Sequence, residues 1–178
     1  PNGLSTATPI DVDGDRDADF IYAGDLQGNL WKFDVSGSNS SQWKVAYGSS
    51  GSPQPLFTAI APDGSAQPIT SRPSVSTHPQ SFKDGYMVYF GTGKYIEESD
   101  TNVLSVPTQT FYGIWDNDST VPNTRSSGVY SRLLQQTILD QPSKEITNAD
   151  GDVIDTVTLR ITSDNDIDWD GGESSDPH

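Results

Sequence analysis

Cysteine is absent from the 178-residue chain, and histidine occurs only twice, at His78 and His178. Without cysteine the chain has no disulfide framework, no thiolate zinc site and no cysteine nucleophile. His78 lies in a proline-flanked loop and His178 is the last residue, so neither has a metal-ligand set or a nucleophile around it. Long apolar runs are also missing, because none approaches the roughly 18 residues of a membrane span. We therefore expect no membrane-spanning helix.

Basic residues are few: 10 Lys and Arg stand against 25 Asp and Glu, which gives a formal net charge of −15. This charge repels the phosphate backbone of nucleic acids and anionic membrane surfaces, so we expect neither as a partner. Glutamate is scarce as well, because 21 of the 25 acidic residues are aspartate. Aspartate competes for backbone hydrogen bonds and favours turns and caps. The composition therefore indicates many turns and cation-binding loops.

No segment has the pattern typical of a long helix. Short apolar runs instead alternate with turns rich in Gly, Pro and Asp, which favours an all-β sandwich, barrel or propeller. The clearest hairpin joins strand 20–24 to strand 30–34 through the turn 25–29, with Gly28 and Asn29 expected at positive φ. Further strands are predicted at 43–47, 55–61, 85–91, 110–115 and 153–161, and residues 133–139 fit a strand or a short helix.

Residues 1–163 are predicted to form one β domain, and residues 164–178 an acidic loop or tail. The tail lacks a following strand, so we expect it to be solvated in spite of its alternating Asp164, Asp166, Asp168 and Asp170. A weak repeat of an apolar strand followed by Gly hints at propeller blades. Blades of roughly 40–45 residues would give about four in this length, fewer than most closed propellers contain. Together with a start at Pro1 rather than Met, this indicates a fragment of a larger domain.

An aspartate occupies every second position of the segment 11–19, with Gly14 among them. Five carboxylates at this density repel one another, and only Arg16 offers local compensation. Calcium removes that repulsion, because it accepts about six to eight oxygen ligands in flexible geometry. Zinc and copper fit an all-oxygen set poorly, and magnesium prefers fewer protein ligands and more water. We therefore predict one Ca²⁺ ion, bound by Asp11, Asp13, Asp15, Asp17 and Asp19.

The spacing assigns roles by analogy with an EF-hand loop. Asp11, Asp13 and Asp15 supply side-chain oxygens. Asp17 binds through its backbone carbonyl rather than its side chain, and Asp19 closes the shell. The match is partial, because Gly stands at the fourth rather than the sixth position, no bidentate Glu follows, and the flanks are strands rather than helices. The alternative is a solvated acidic turn without a cation.

A second acidic cluster contains Asn148, Asp150 and Asp152, followed by Asp155. Asp-Gly between strands is more often a turn than a ligand set, so a turn is favoured here over a second cation site. No catalytic residues are predicted, because no two carboxylates are set apart for acid/base chemistry. The sequence also has no Gly-rich phosphate loop before a helix and no favoured Ser/His/Asp arrangement. We therefore do not expect an enzyme.

Three stretches resemble one family, and they occur in that family's order. They are D11-V-D-G-D-R-D-A-D-F-I-Y-A-G-D-L-Q-G-N-L-W-K-F-D34, V88-Y-F-G-T-G-K-Y95 and T108-Q-T-F-Y-G-I-W-D116. They are similar to the C-terminal domain of PilY-type type IV pilus biogenesis and tip-adhesin proteins. The resemblance implies a modified β-propeller, here a partial one, with a single calcium ion. It maps the ligands onto Asp11, Asp13, Asp15, Asp19 and the carbonyl of Asp17.

The resemblance also implies a regulatory role, in which calcium occupancy opposes pilus retraction and calcium release permits it. It implies export to the pilus tip, outer membrane or cell surface of a Gram-negative bacterium. Minor pilins are the expected partners, with twitching motility and adhesion to a host or abiotic surface as the supported processes. Alternatives are an FG-GAP-type calcium propeller used in extracellular adhesion, a quinoprotein dehydrogenase propeller and a polysaccharide-binding module. The continuation at residues 23–33 favours the pilus family.

Overall fold

The computed structural model describes residues 2–102, 106–121, 133–167 and 169. These residues fall into two compact units, one within residues 1–130 and the other within 131–178. The domain boundary expected at residue 163 stays a prediction. Within the expected tail, Asp168 and residues 170–178 lie outside the described residues.

The regular structure of the described residues consists of short β-strands and two 3₁₀ helices, with no α-helix among them. The all-β class is therefore confirmed. The strands are β1 (Thr8–Ile10), β2 (Phe20–Gly24), β3 (Asn29–Asp34), β4 (Lys44–Val45), β5 (Tyr47–Ser49), β6 (Ser52–Gln54), β7 (Phe57–Thr58), β8 (Ser74–Thr77), β9 (Tyr86–Gly91), β10 (Phe111–Asp116), β11 (Ile138–Asp140), β12 (Ser143–Thr147), β13 (Val153–Thr158) and β14 (Ile161–Thr162). The 3₁₀ helices are Ser40–Gln42 and Glu98–Thr101.

The first sheet is antiparallel and has five strands, in the order β1-β2-β3-β4, with β7 also paired to β3. Its centre is the β2–β3 hairpin, which pairs Phe20 with Asp34 and Gly24 with Leu30. The predicted hairpin is confirmed. The neighbours from β1 to β4 are consecutive in sequence, as is usual for short connections, and β7 is the exception. The predicted strand 55–61 is limited to the two residues of β7, which pair with the end of β3.

The turn between β2 and β3 is organised by Asp25, whose side chain is fully buried. One carboxylate oxygen accepts hydrogen bonds from the backbone N–H groups of Gln27 and Asn29, both at 2.9 Å. The other oxygen accepts from the Trp31 indole at 2.8 Å and from the side-chain amides of Asn2 and Asn29. Burial by itself raises the pKa of Asp25, but the hydrogen bonds from Trp31, Asn2 and Asn29 together lower it by a larger amount. The pKa therefore lies below the ordinary value of 3.8.

Gly28 supplies the left-handed residue of this turn, with φ at +85°, and a Cβ there would lie 2.7 Å from the Ala59 carbonyl oxygen. The position therefore excludes side chains both by conformation and by space. The predicted positive φ at Asn29 is wrong, because Gly28 is the left-handed residue of this turn. Asn29 already begins β3 and pairs with Thr58, which requires an extended backbone.

The second sheet has the antiparallel order β10-β9-β8. β9 and β10 pair from Tyr86 with Asp116 to Gly91 with Phe111. The strands predicted at 85–91 and 110–115 are therefore confirmed. A separate short hairpin joins β5 to β6.

Aromatic side chains of both sheets meet in the core of the first unit. The ring centroid of Phe57 in β7 lies 6.2 Å from that of Phe90 in β9 and 5.0 Å from that of Tyr112 in β10. Each fully buried large apolar side chain contributes about 1.5–3 kcal/mol to folding. The buried apolar residues are Tyr22, Ala23, Leu30, Leu56, Phe57, Ala59, Ala61, Ile69, Met87, Val88, Phe90, Tyr112 and Ile114.

The second unit contains two small antiparallel pairs, β11 with β14 and β12 with β13. The predicted strand 153–161 forms the hairpin arm β13 and then the short strand β14. Of the ambiguous segment 133–139, residues 133–137 have no regular structure and β11 follows at 138–140. In the part of the chain that the structure describes, no helix has the length and apolar character needed to cross a membrane.

Candidate metal centre

The aspartate-rich loop connects two paired strands of the first sheet. β1 ends at Ile10, which pairs with Phe20 at the start of β2. The backbone N–H of Asp19 donates to the Ile10 carbonyl at 2.9 Å, and the N–H of Val35 donates to the Asp19 carbonyl at 2.8 Å. Both ends of the loop are therefore fixed by the sheet.

Three of the five predicted aspartates converge. Asp11, Asp13 and Asp15 each offer a carboxylate oxygen, and these three oxygens all lie within 4.8 Å of one another. All three side chains are exposed. Three like charges at this separation repel one another. A bound divalent cation attracts each carboxylate and thereby offsets that repulsion. Among the described residues, this is the group of acidic side chains close enough to hold a metal ion.

Backbone amides of the loop hold the carboxylates in place. The N–H groups of Gly14 and Arg16 donate to the two oxygens of Asp11 at 2.7 and 2.9 Å. Asp13 accepts from the N–H of Asp15 at 3.1 Å, and Asp15 accepts from the N–H of Asp17 at 2.8 Å. Because a carboxylate offers about four lone-pair sites, these bonds leave acceptor capacity for a cation. The loop is therefore preorganised by its own backbone.

The loop bends at two left-handed residues, Gly14 with φ +84° and Arg16 with φ +81°. Glycine adopts this conformation at no steric cost, whereas a residue with a Cβ does so only when the surroundings impose it. The sequence indicates the first bend through Gly14 and gives no signal for the second.

Asp17 and Asp19 are not members of the converging group. The side chain of Asp17 is exposed, and its predicted contribution is the backbone carbonyl. The carboxylate of Asp19 accepts a hydrogen bond from the N–H of Val12 at 2.7 Å across the loop. Their assignment as ligands stays a prediction.

The donor set of the loop fits calcium. Its groups are carboxylate and carbonyl oxygens, the ligands of hard cations, and no nitrogen or sulfur donor lies in segment 11–19. If Asp17 and Asp19 contribute as the spacing predicts, the loop supplies five ligating residues, and water completes the shell. Asp11, Asp13 and Asp15 would hold the ion, and calcium would supply the charge that balances them.

The second acidic cluster has the hydrogen bonds of a hairpin turn. The side-chain oxygen of Asn148 accepts from the N–H groups of Asp150 and Asp152 at 3.0 and 2.9 Å. Gly151 is left-handed, with φ +91°. The side-chain amide of Asn148 also points to the Asp152 carboxylate at 3.3 Å. These contacts match a turn between β12 and β13, in line with the interpretation favoured from the sequence.

A largely buried polar cluster, which the sequence reasoning missed, links β2 and β3 of the hairpin to β10 and is here called the Lys32–Asp116 cluster. The Lys32 ammonium lies 2.9 Å from Asp116 and 3.1 Å from Asp118. The hydroxyls of Tyr22 and Tyr47 both donate to Asp116 at 2.5 Å. Burial raises the pKa of both tyrosines far above the ordinary value, and their hydrogen bonds to Asp116 raise it further. The one sequence feature that indicates burial of Lys32 is its alternation in phase with the apolar Leu30.

His78 is buried and packs against the Trp115 ring, with centroids 4.8 Å apart. Its Nδ1 accepts a hydrogen bond from the N–H of Gln80 at 3.1 Å. These contacts describe a packed loop residue. His178 lies outside the described residues.

Comparisons with known proteins point to one family. The model of the PilY1 beta-propeller domain matches residues 1–149. The type IV pilus biogenesis factor PilY1 of Pseudomonas aeruginosa PAO1 is 39% identical over 190 residues, covering 95% of this chain and 15% of that protein. A PilY1 homolog of Xylella fastidiosa is 45% identical over 121 residues, covering 67% of this chain and 8% of that protein.

A solved structure agrees with this family. The crystal structure of the Pseudomonas aeruginosa PilY1 C-terminal domain matches with a TM-score of 0.77 and 36% identity, covering 98% of this chain and 37% of that chain. The chain thus spans about 15% of the length of the Pseudomonas relative and part of the solved domain. The resemblance and the propeller-type fold expected from the sequence are therefore confirmed. This chain belongs to the PilY1 β-propeller domain family.

Proposed function

We propose that this chain binds one Ca²⁺ ion through loop 11–19 and acts as a calcium-responsive part of a type IV pilus biogenesis factor. The observation that carries the calcium proposal is the convergence of the Asp11, Asp13 and Asp15 oxygens within 4.8 Å. The pilus role is supported by relatives that bear the name type IV pilus biogenesis factor.

The chemistry of the loop is charge balance. Without a cation, neighbouring carboxylates repel one another and only Arg16 offsets them locally. With calcium bound, the same groups draw together around it, while the amides of Gly14 and Arg16 keep Asp11 oriented. In this proposal the loop has a calcium-free and a calcium-bound state, and the calcium concentration sets their ratio.

The regulatory proposal is that calcium occupancy opposes pilus retraction and calcium release permits it. The protein acts at the pilus tip, outer membrane or cell surface of a Gram-negative bacterium, with minor pilins as partners and with twitching motility and surface adhesion as outcomes. A chromosomal Asp15→Ala variant tests this in cells. We expect altered surface piliation and reduced twitching, whereas normal piliation and twitching would contradict the regulatory role.

Calcium binding itself is tested by isothermal titration calorimetry on the chelator-stripped chain, with magnesium as the competing cation. We expect one calcium per chain and much weaker binding of magnesium. Asp11→Ala and Asp15→Ala should each abolish measurable binding, because each removes a converging carboxylate. Asp17→Ala should bind within about threefold of the parent chain, a small effect because the backbone carbonyl survives.

The matched control is Asp84→Ala, which removes an exposed aspartate outside the loop and should bind calcium like the parent. If Asp11→Ala and Asp15→Ala also bind like the parent, loop 11–19 is an acidic turn and the calcium proposal is wrong. A loss in Asp17→Ala as large as in Asp15→Ala would place the Asp17 side chain in the coordination shell.

A further inference from the structure

The ammonium group of Lys32 lies directly over the ring of Phe20, 4.2 Å from the ring centroid. A cation at this distance is attracted by the negative face of the ring, and the attraction is larger where water is excluded. The Lys32 side chain is 3% exposed, whereas the Phe20 ring is partly exposed. The ammonium group also forms an ion pair with Asp116 of β10 at 2.9 Å.

Phe20 is the residue that follows the loop. Asp19, directly before it, is held by backbone hydrogen bonds to Ile10 and Val35, and its carboxylate crosses the loop to the N–H of Val12. The position of the Phe20 ring therefore sets where the chain leaves the loop and enters β2. Backbone pairing alone permits the end of a short strand to fray, whereas an anchored side chain resists it.

We propose that Lys32 is a positioning residue for loop 11–19. By holding Phe20, it fixes the loop end that carries Asp19 and the hydrogen bond to Val12. The inference deepens the proposed calcium function and rests on it for the affinity effect. The effect on loop order does not require calcium to bind.

The competing explanation is that Lys32 only joins the two sheets through Asp116. A residue of that kind changes the melting temperature but leaves the calcium affinity of the folded chain and the order of the loop unchanged. A positioning residue changes loop order and affinity selectively. Amide hydrogen exchange followed by NMR separates the two, because it reports the loop and β9–β10 in one sample.

Two variants and one control make the test. Lys32→Met removes the ammonium but keeps an unbranched apolar side chain. Phe20→Leu removes only the ring and keeps the ion pair with Asp116, so it remains decisive if Lys32→Met fails to fold. Lys44→Met is the control, because Lys44 is largely exposed and pairs with Asp34 of the same sheet at 3.6 Å.

In the calcium-free chain we expect the Val12 and Asp19 amides to exchange about tenfold faster in Phe20→Leu, with the amides of β9 and β10 unchanged. Lys32→Met should accelerate the same two amides and also those of β10, because it leaves the buried Asp116 without its cation. Calcium dissociation constants should rise about tenfold, the lower end of the range for residues that orient ligands indirectly. Lys44→Met should leave both quantities unchanged.

Parent-like exchange at Val12 and Asp19 in folded Phe20→Leu, or faster exchange that is equal throughout the chain, would overturn the proposal. If the parent chain itself binds no calcium, the proposed function fails, and the exchange measurements alone decide whether Lys32 positions the loop.

Discussion

Arg16 has a backbone conformation that is unusual for a residue with a Cβ. Its φ of +81° belongs to the left-handed region, which costs a residue with a Cβ roughly 1–2 kcal/mol. Its N–H donates to Asp11 at 2.9 Å, so the strained conformation delivers a hydrogen bond to a converging carboxylate. Its side chain also brings a positive charge to a loop that is proposed to hold a cation.

Replacing Arg16 with glycine is therefore expected to strengthen calcium binding by the loop. Arg16→Gly relieves the left-handed strain, keeps the N–H that donates to Asp11 and removes a positive charge near the proposed ion. We expect calcium to bind about three- to tenfold more tightly, because the repulsion between two nearby positive charges at the protein surface is about 1 kcal/mol. Titration calorimetry measures the change.

Arg16→Gln is the matched control, because it removes the charge but keeps a side chain at positive φ. It should gain only the electrostatic part of the effect. Binding of Arg16→Gly that is weaker than that of the parent chain would show that the arginine side chain supports the bound state.

At the scale of elements, the β2–β3 hairpin owes its turn to one buried carboxylate. Asp25 gathers donors from the backbone and from the side chains of Asn2, Asn29 and Trp31. It also ties the start of the chain to the hairpin, because Leu4 forms a β-bridge with Asp25. The turn thus depends on a side chain that accepts from all of these donors at once.

Asp25→Asn is expected to lower the free energy of unfolding by about 2–4 kcal/mol at pH 7. The carboxamide has one acceptor oxygen, and its nitrogen would face donors that then lose their partner, at the usual cost of buried unpaired polar groups. Urea unfolding followed by tryptophan fluorescence checks this. Asp63→Asn, at an exposed turn with a hydrogen bond to Ser65, is the control and should change the midpoint little.

The same carboxylate gives a pH dependence with a definite sign. The pKa of Asp25 is lower in the folded chain than its ordinary value of 3.8. Its contribution to stability is therefore present above about pH 4 and is lost as the pH falls through the folded-state pKa. The difference in stability between the parent chain and Asp25→Asn should narrow below pH 4, and a constant difference down to pH 2 would contradict this assignment.

For the molecule as a whole, the formal net charge of −15 makes cations general stabilisers, and the proposed site in loop 11–19 would make calcium a specific one. A ligand that binds only the folded state, at about 100 times its dissociation constant, adds about 2.7 kcal/mol to stability. For a chain of this length that corresponds to a rise of roughly 5–10 °C in melting temperature. We expect this rise with calcium in a thermal scan, and its reversal by a chelator.

Sodium chloride at matched ionic strength separates screening from specific binding. It should raise the melting temperature less than calcium does, and Asp15→Ala should respond alike to both salts. If calcium and sodium raise the melting temperature of the parent chain equally, calcium acts only by general charge screening, and specific binding is contradicted.

The sequence by itself determined the local features of this protein. The β2–β3 hairpin, β9 and β10 follow from apolar alternation and turn residues that lie within a few positions of one another. The aspartate loop was identified for the same reason, since its spacing is encoded in nine consecutive residues. The left-handed Arg16 and the short extent of β7 escaped prediction, because neighbouring contacts decided them.

Only the tertiary structure decided which face of β3 is buried and why a lysine lies on it. Lys32 and Asp116 are far apart in the sequence, and nothing local indicates that they pair at 2.9 Å. The pairing arises because the packing of the two sheets brings β3 and β10 together and removes water from both charges. A buried charge is tolerated only with such a partner, and partners supplied by a distant strand are fixed by packing rather than by local pattern.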